Sequence, residues 1–144
     1  MKPHVIVRDY HSSDFEDIKA IHDATEIDYQ FPNLNSSLFL VTKVLEVDGV
    51  IRQAVGAYIQ VEYYLWADQS NWGTPEEKLQ CINLLDKAVT SDVWLRGVDE
   101  AVLYLPPGME RFGERLTEDF GFSKARDGWV HYTKRTGDKS EDCN

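Results

Sequence analysis

The sequence predicts an α/β (α+β) fold built on a mixed, mostly antiparallel central sheet. Three observations lead there. Asp48-Gly49 stands between two runs rich in Val, Leu and Ile, where a tight hairpin turn needs residues that accept positive φ. Thr74-Pro75-Glu76-Glu77 opens a long stretch of apolar residues at helical spacing. The order of elements is strand, helix, three consecutive strands, long helix, strand, helix, strand. Consecutive hairpins imply antiparallel pairing, and a late strand–helix–strand step implies a parallel one.

Val5-Ile6-Val7-Arg8 reads as a short β-branched strand. Ser13, with Glu16 three residues on, has the pattern of a capping box, and Phe15, Ile18 and Ile21 give the helix one apolar face. Asp28 to Ser37, with Pro32 and two Asn, is a loop. Leu38 to Val47 and Val50 to Ile59 form the hairpin, and Gly56 marks a bulge or a close approach. Gln60 to Asp68 reads as a third strand. Its alternation places Gln60, Glu62, Tyr64, Trp66 and Asp68 on one face and Ile59, Val61, Tyr63 and Leu65 on the other.

Thr74 is the expected N-cap of the long helix, with Pro75 at its first position and Glu77 closing the box. Leu79, Ile82, Leu85, Val89 and Val93 follow, and Gly97 fits a C-terminal cap. Glu100 to Leu105 is a short strand stopped by Pro106-Pro107-Gly108. Met109, Phe112, Leu116 and Phe120 mark the last helix, which Gly121 ends, and Trp129 to Lys134 is the last strand. Residues 1–135 are expected to form a single domain, with a polar, disordered tail over 136–144.

Composition narrows the function. The chain has 144 residues, 42 % of them hydrophobic, enough for a core. Its 15 Lys and Arg against 25 Asp and Glu give a net charge of −10, which repels phosphate backbones, so nucleic acid is not an expected partner. The pair Lys134-Arg135 is a solvated strand end rather than a basic patch. No apolar run approaches a membrane span. Cys81 and Cys143 form no CxxC pair and no leader precedes Met1, so a cytoplasmic protein is expected. His4, His11, His22 and His131 lack metal-ligand spacing, and Cys81 has no evident base partner.

Several local sequences in this order resemble the Gcn5-related N-acetyltransferase (GNAT) superfamily. They are Val7-Arg8-Asp9-Tyr10 followed by Ser13-Asp14-Phe15 and Ile18; Asp48-Gly49 followed by Ala54-Val55-Gly56-Ala57-Tyr58-Ile59; and Leu116 with Asp119-Phe120-Gly121-Phe122. The resemblance runs over residues 5–134. It implies a central sheet with helices on both faces, acetyl-CoA as co-substrate and acetyl transfer to an amine. It also implies that the strands before and after the long helix splay apart to admit pantetheine.

Two departures stand against that pattern. The family's glycine-rich turn, whose backbone N–H groups hold the coenzyme pyrophosphate, reads here Gln69-Ser70-Asn71-Trp72-Gly73-Thr74. One glycine remains, Pro75 removes a donor, and Glu76 and Glu77 place negative charge where phosphate would sit. The family's acid tyrosine on the last helix is Thr117, and an asparagine often found seven residues earlier is Glu110.

The resemblance implies Glu62 as general base, since an aromatic surround that desolvates a carboxylate suits it to taking a proton from an amine; an exposed strand residue is the plainer reading. Asp68 is the second candidate, or a strand-end cap. Trp66, Ala67 and Asp68 would offer backbone N–H groups to the thioester, and Gly73 and Thr74 would meet the pyrophosphate. Tyr64 would line the acceptor pocket, with Phe31 covering it or anchoring its own loop. The acidic surface favours a cationic amine acceptor. The competing reading is a protein that keeps the fold without the coenzyme site and acts as an interaction or structural module, including as a homodimer.

Overall fold

The computed structural model describes residues 2–27, 29–125, 128–134 and 136–137. The chain is mixed α/β and mostly antiparallel. It forms two compact units, Met1–Tyr104 and Leu105–Asn144.

The first unit is organised by a hairpin of two nine-residue strands, β2 (Phe39–Val47) and β3 (Val50–Tyr58). Asp48 and Gly49 take φ of 51° and 80°, the pair of left-handed conformations that matches the twist of the flanking strands. Strand β1 (Val5–Asp9) pairs antiparallel with β2, giving the order β1-β2-β3. Leu40 and Arg52 are the extra residues at two breaks in the β2–β3 register. At Gly56 the sheet carries no bulge. The Phe39 ring lies so close that an added Cβ would be 2.8 Å from it.

One face of this sheet is buried. Val44, 1 % exposed, packs with Ile18 and Leu34, and Tyr10, Phe15, Phe31, Phe39, Ile51 and Ala54 surround them. Ile18 comes from helix α1 (Phe15–Ala24), which lies against β3. The other face leaves Val5, Val7, Val41 and Val55 exposed.

The start of α1 differs from expectation. Ser12–Asp14 form a 3-10 turn, and Ser13 and Glu16 make no capping box. The Asp14 carboxylate instead accepts the His11 backbone N–H at 2.8 Å and two Arg8 N–H groups at 2.8 and 2.9 Å. Arg8 also donates to Glu46 at 2.9 Å. A bidentate, charge-assisted pair outcompetes a serine hydroxyl for control of the turn.

Strand β4 is only Val61–Glu62, not Gln60 to Asp68, and β5 is Ala101–Val102, not Glu100 to Leu105. They pair in parallel across α2 (Pro75–Leu95), a strand–helix–strand step of the kind the order of elements implied. Gln60, Glu62, Tyr64, Trp66 and Asp68 are exposed and Ile59, Val61 and Tyr63 half-buried, as alternation predicts, but Leu65 is exposed as well, so the alternation ends at Tyr63, just past the ladder.

Helix α2 starts as predicted. The Thr74 hydroxyl accepts the Glu77 N–H at 3.1 Å and the Glu77 carboxylate accepts the Thr74 N–H at 2.8 Å. Its end is a Schellman turn: Gly97 N–H donates to Trp94 at 2.9 Å and Val98 N–H to Val93 at 3.3 Å, with Gly97 at φ 84°. Nothing lies within 4 Å of a Cβ built there, so the cost of a side chain is conformational alone. Gly97→Ala is expected to destabilise by about 1 kcal/mol and Gly97→Asn by less, read as shifts in the urea midpoint.

In the second unit, α3 (Glu110–Asp119) buries Leu116, and Gly121 at φ 74° lets the Phe122 N–H reach the Leu116 carbonyl at 3.1 Å. Residues 129–134 form no strand ladder among the described residues, against the expected last strand. Arg135 and residues 138–144 of the expected tail lie outside the described residues.

Candidate functional site

The site is built where β4 and β5 part. Val61 N–H donates to the Glu100 carbonyl at 3.1 Å and Tyr63 N–H to the Val102 carbonyl at 2.8 Å. Backbone N–H groups alternate along an extended chain. The Val61 and Tyr63 N–H groups point at β5, so along an extended chain the next N–H groups on that edge would be those of Leu65 and Ala67. Of the three residues expected to offer N–H groups, this favours Ala67 over Trp66 and Asp68, and it adds Leu65, which the sequence reading missed.

The outward row carries the side chains. Glu62, Tyr64 and Trp66 are all exposed, Trp66 at 86 %. The Tyr64 and Trp66 rings stack, 6.0 Å between centroids and 13° between planes. The Tyr64 phenol is held above its ordinary pKa, chiefly by its hydrogen bond to the Glu62 carboxylate and that carboxylate's charge. Behind them Tyr63 is half-buried, and its hydroxyl lies 3.0 Å from that of Thr90, tying β4 to α2.

Asp68 is occupied. Its carboxylate accepts the Ser70 N–H at 2.9 Å and the Ser70 hydroxyl at 2.8 Å, contacts that hold its pKa below the usual range and make it a weak base. The next residues close a self-satisfied loop. The Trp72 indole N–H donates to the Asp68 carbonyl at 3.1 Å, Gln69 to the Ala67 carbonyl at 3.0 Å, and Lys78 to the Ser70 carbonyl at 3.0 Å while lying over the Trp72 ring.

At the start of α2 part of the donor set that would meet a pyrophosphate is taken. Thr74 N–H and Glu77 N–H belong to the capping box, and Pro75 has none. The Glu77 carboxylate stands 3.2 Å from where a Gly73 Cβ would be, so Gly73 faces an anion.

Phe31 is held by its own loop and the core: its ring meets Phe15 edge-on at 5.3 Å and His22 at 5.1 Å. That is the anchoring role, with no described contact to Tyr64. In the second unit the Thr117 hydroxyl donates to the Glu114 carbonyl at 2.9 Å, and Glu110 accepts the Gly108 N–H at 3.1 Å, so each serves its own helix. Among the described residues no group of His, Cys, Asp and Glu is arranged to hold a metal, and no helix is long and apolar enough to cross a membrane.

No family model matches the chain, and no curated protein matches it. Among solved structures the chain is similar to "Aminoglycoside N-Acetyltransferase AAC(6')-Iy in Complex with CoA", at 16 % identity over 94 % of this chain and 97 % of that one, with a TM-score of 0.35. That likeness is too slight to assign fold or chemistry, which have to be read from this chain's own residues.

Proposed function

We propose that this chain is an acyl-CoA-dependent N-acyltransferase of the GNAT type, a single functional domain that moves an acetyl group from acetyl-CoA to an amine. One observation supports the reading: β4 and β5 pair in parallel over two residues only, as a pair of strands that opens into a gap would. A thioester lying in that gap would meet the Leu65 and Ala67 N–H groups at its carbonyl oxygen, where negative charge develops as the amine attacks. The amine nitrogen forms a bond to the acyl carbon, the carbon–sulfur bond breaks, and the coenzyme leaves as thiolate. Glu62, directly or through water, would accept the proton that the attacking amine loses. Neither Asp68, held by Ser70, nor Thr117 is suited to acid–base work, so orientation in the gap supplies most of the rate.

The filled start of α2 favours a second reading, a non-catalytic module that keeps the fold and has no coenzyme site. The exposed valines on the outer face of β1-β2-β3 would then meet a partner, a second copy of the chain included. Isothermal titration of the protein with acetyl-CoA separates the two. A dissociation constant in the micromolar range, lost on Gly73→Asp, is expected. A folded sample giving no heat up to millimolar acetyl-CoA would leave the second reading.

A further inference from the structure

Strand β1 is an edge left without protection. Among the described residues no strand pairs with its outer side. The Tyr10 N–H donates to the Thr42 carbonyl at 3.0 Å and the His4 carbonyl accepts the Asp48 N–H at 2.8 Å, so the even-numbered residues of this segment bond to β2. The N–H and C=O groups of Val5 and Val7 therefore point away from the sheet. Edge strands are commonly blunted by a lysine, a proline or a bulge, and Val5–Asp9 has none of the three. Its charged side chains are engaged within their own unit, Arg8 with Asp14 and Glu46, Asp9 with Lys43. What remains outward is apolar: Val5, Ile6 and Val7 are all exposed, Val7 at 66 %.

We propose that β1 pairs antiparallel with β1 of a second copy of the chain, about a two-fold axis at Ile6. Such an axis sets Val5 against the partner's Val7, and each of these pairs exchanges both its N–H···O bonds. One step outward the same register sets Asp9 against the partner's Pro3. Proline has no N–H to give, and the Asp9 carbonyl that would have received it already accepts the Arg8 guanidinium at 3.0 Å. The missing donor thus meets the acceptor that does not need one. An axis at Val7 would aim the Val5 N–H at the occupied Asp9 carbonyl. An axis at Val5 would set Val7 against Pro3 and leave the Val7 carbonyl without a donor. Val5 and Val7 share the outer face with Val41 and Val55, so the pairing also joins two patches of exposed valine. The proposal is independent of coenzyme binding, because β4 and β5 belong to a separate sheet.

The test is sedimentation equilibrium of the full chain from micromolar to millimolar concentration. The mass is expected to rise toward twice that of one chain, as mass action requires. Val7→Pro should stay monomeric, since it removes an outward N–H and no bond to β2. Val41→Glu, on the outer face away from the edge, should still dimerise. Circular dichroism checks that each variant folds. Ile6→Cys, combined with Cys81→Ser and Cys143→Ser, gives a second measurement that needs no proline. Residues opposed at such an axis have Cα atoms about 4.5 Å apart, within disulfide range, so mild oxidation should cross-link two chains. A parent that stays monomeric to millimolar concentration would overturn the proposal and leave the edge to an extended segment of another protein. So would a dimer lost in Val41→Glu and kept in Val7→Pro, which would place the contact on the sheet face. Neither result bears on the acyltransferase reading, which the acetyl-CoA titration tests separately.

Discussion

Glu77→Gln is expected to tighten coenzyme A binding about tenfold. The start of α2 has the donors and dipole of an anion site, but the Glu77 carboxylate occupies the Thr74 N–H and faces Gly73. A charge about 4 Å from a phosphate costs on the order of 1 kcal/mol in water and several times that near a protein surface. Glutamine removes the charge and can still accept the Thr74 N–H, so the capping box survives and the helix is not the variable. The measurement is the dissociation constant for coenzyme A by calorimetry, with Glu76→Gln as a control of equal charge whose carboxylate lies outside the box. Unchanged affinity in Glu77→Gln would mean that pyrophosphate does not approach this helix, and the coenzyme reading would fail with it.

Asp14→Ala should be the most damaging single change to stability, at about 3 kcal/mol. Asp14 is 7 % exposed and accepts three hydrogen bonds, two from Arg8 and one from His11. Its removal strands part of a guanidinium and a backbone donor at once, and breaking one side of a nearly buried pair is costly. The same contacts set an acid limit. The Arg8 guanidinium, more than any other neighbour, holds the Asp14 carboxyl at about 2, well below the unfolded aspartate near 3.9. A depressed folded value means the unfolded chain takes up the proton first. The Asp14 contribution is therefore complete above about pH 4 and is lost as pH falls toward 2. Urea midpoints from pH 5 to pH 2 should fall less steeply in Asp14→Asn than in the parent. Parallel curves would show that the acid sensitivity comes from other carboxylates.

The features legible in the sequence are those whose physics is local. Asp48-Gly49 had to turn because the backbone angles it accepts are few, and Thr74, Pro75, Glu77 and Gly97 had to bound a helix because their partners lie within five residues. The exposure of Gln60, Glu62, Tyr64, Trp66 and Asp68 was also legible, while Leu65, expected to face inward, is exposed because alternation is lost once the ladder ends. What escaped depends on distant partners. The length of β4 depends on its pairing with β5, which lies beyond α2 in sequence, and Ser13 lost its capping role to an arginine that the chain brings in from β1. The candidate site divides the same way. Its residues could be named, but which N–H groups face the gap needed the register, and that moved the emphasis from Trp66 and Asp68 to Leu65 and Ala67.

The two-residue ladder between β4 and β5 also bears on the order in which the chain assembles. Its ends are separated by the whole of α2, so the loop that must close before it forms is long, and a ladder of two residue pairs offsets that closure. The β2–β3 hairpin closes over two residues and α2 is held by its own caps, so both can form early and independently. The gap is thus completed last, by elements already made. During synthesis the coupling between Val61 and Ala101 arises only after the full length of α2 has emerged.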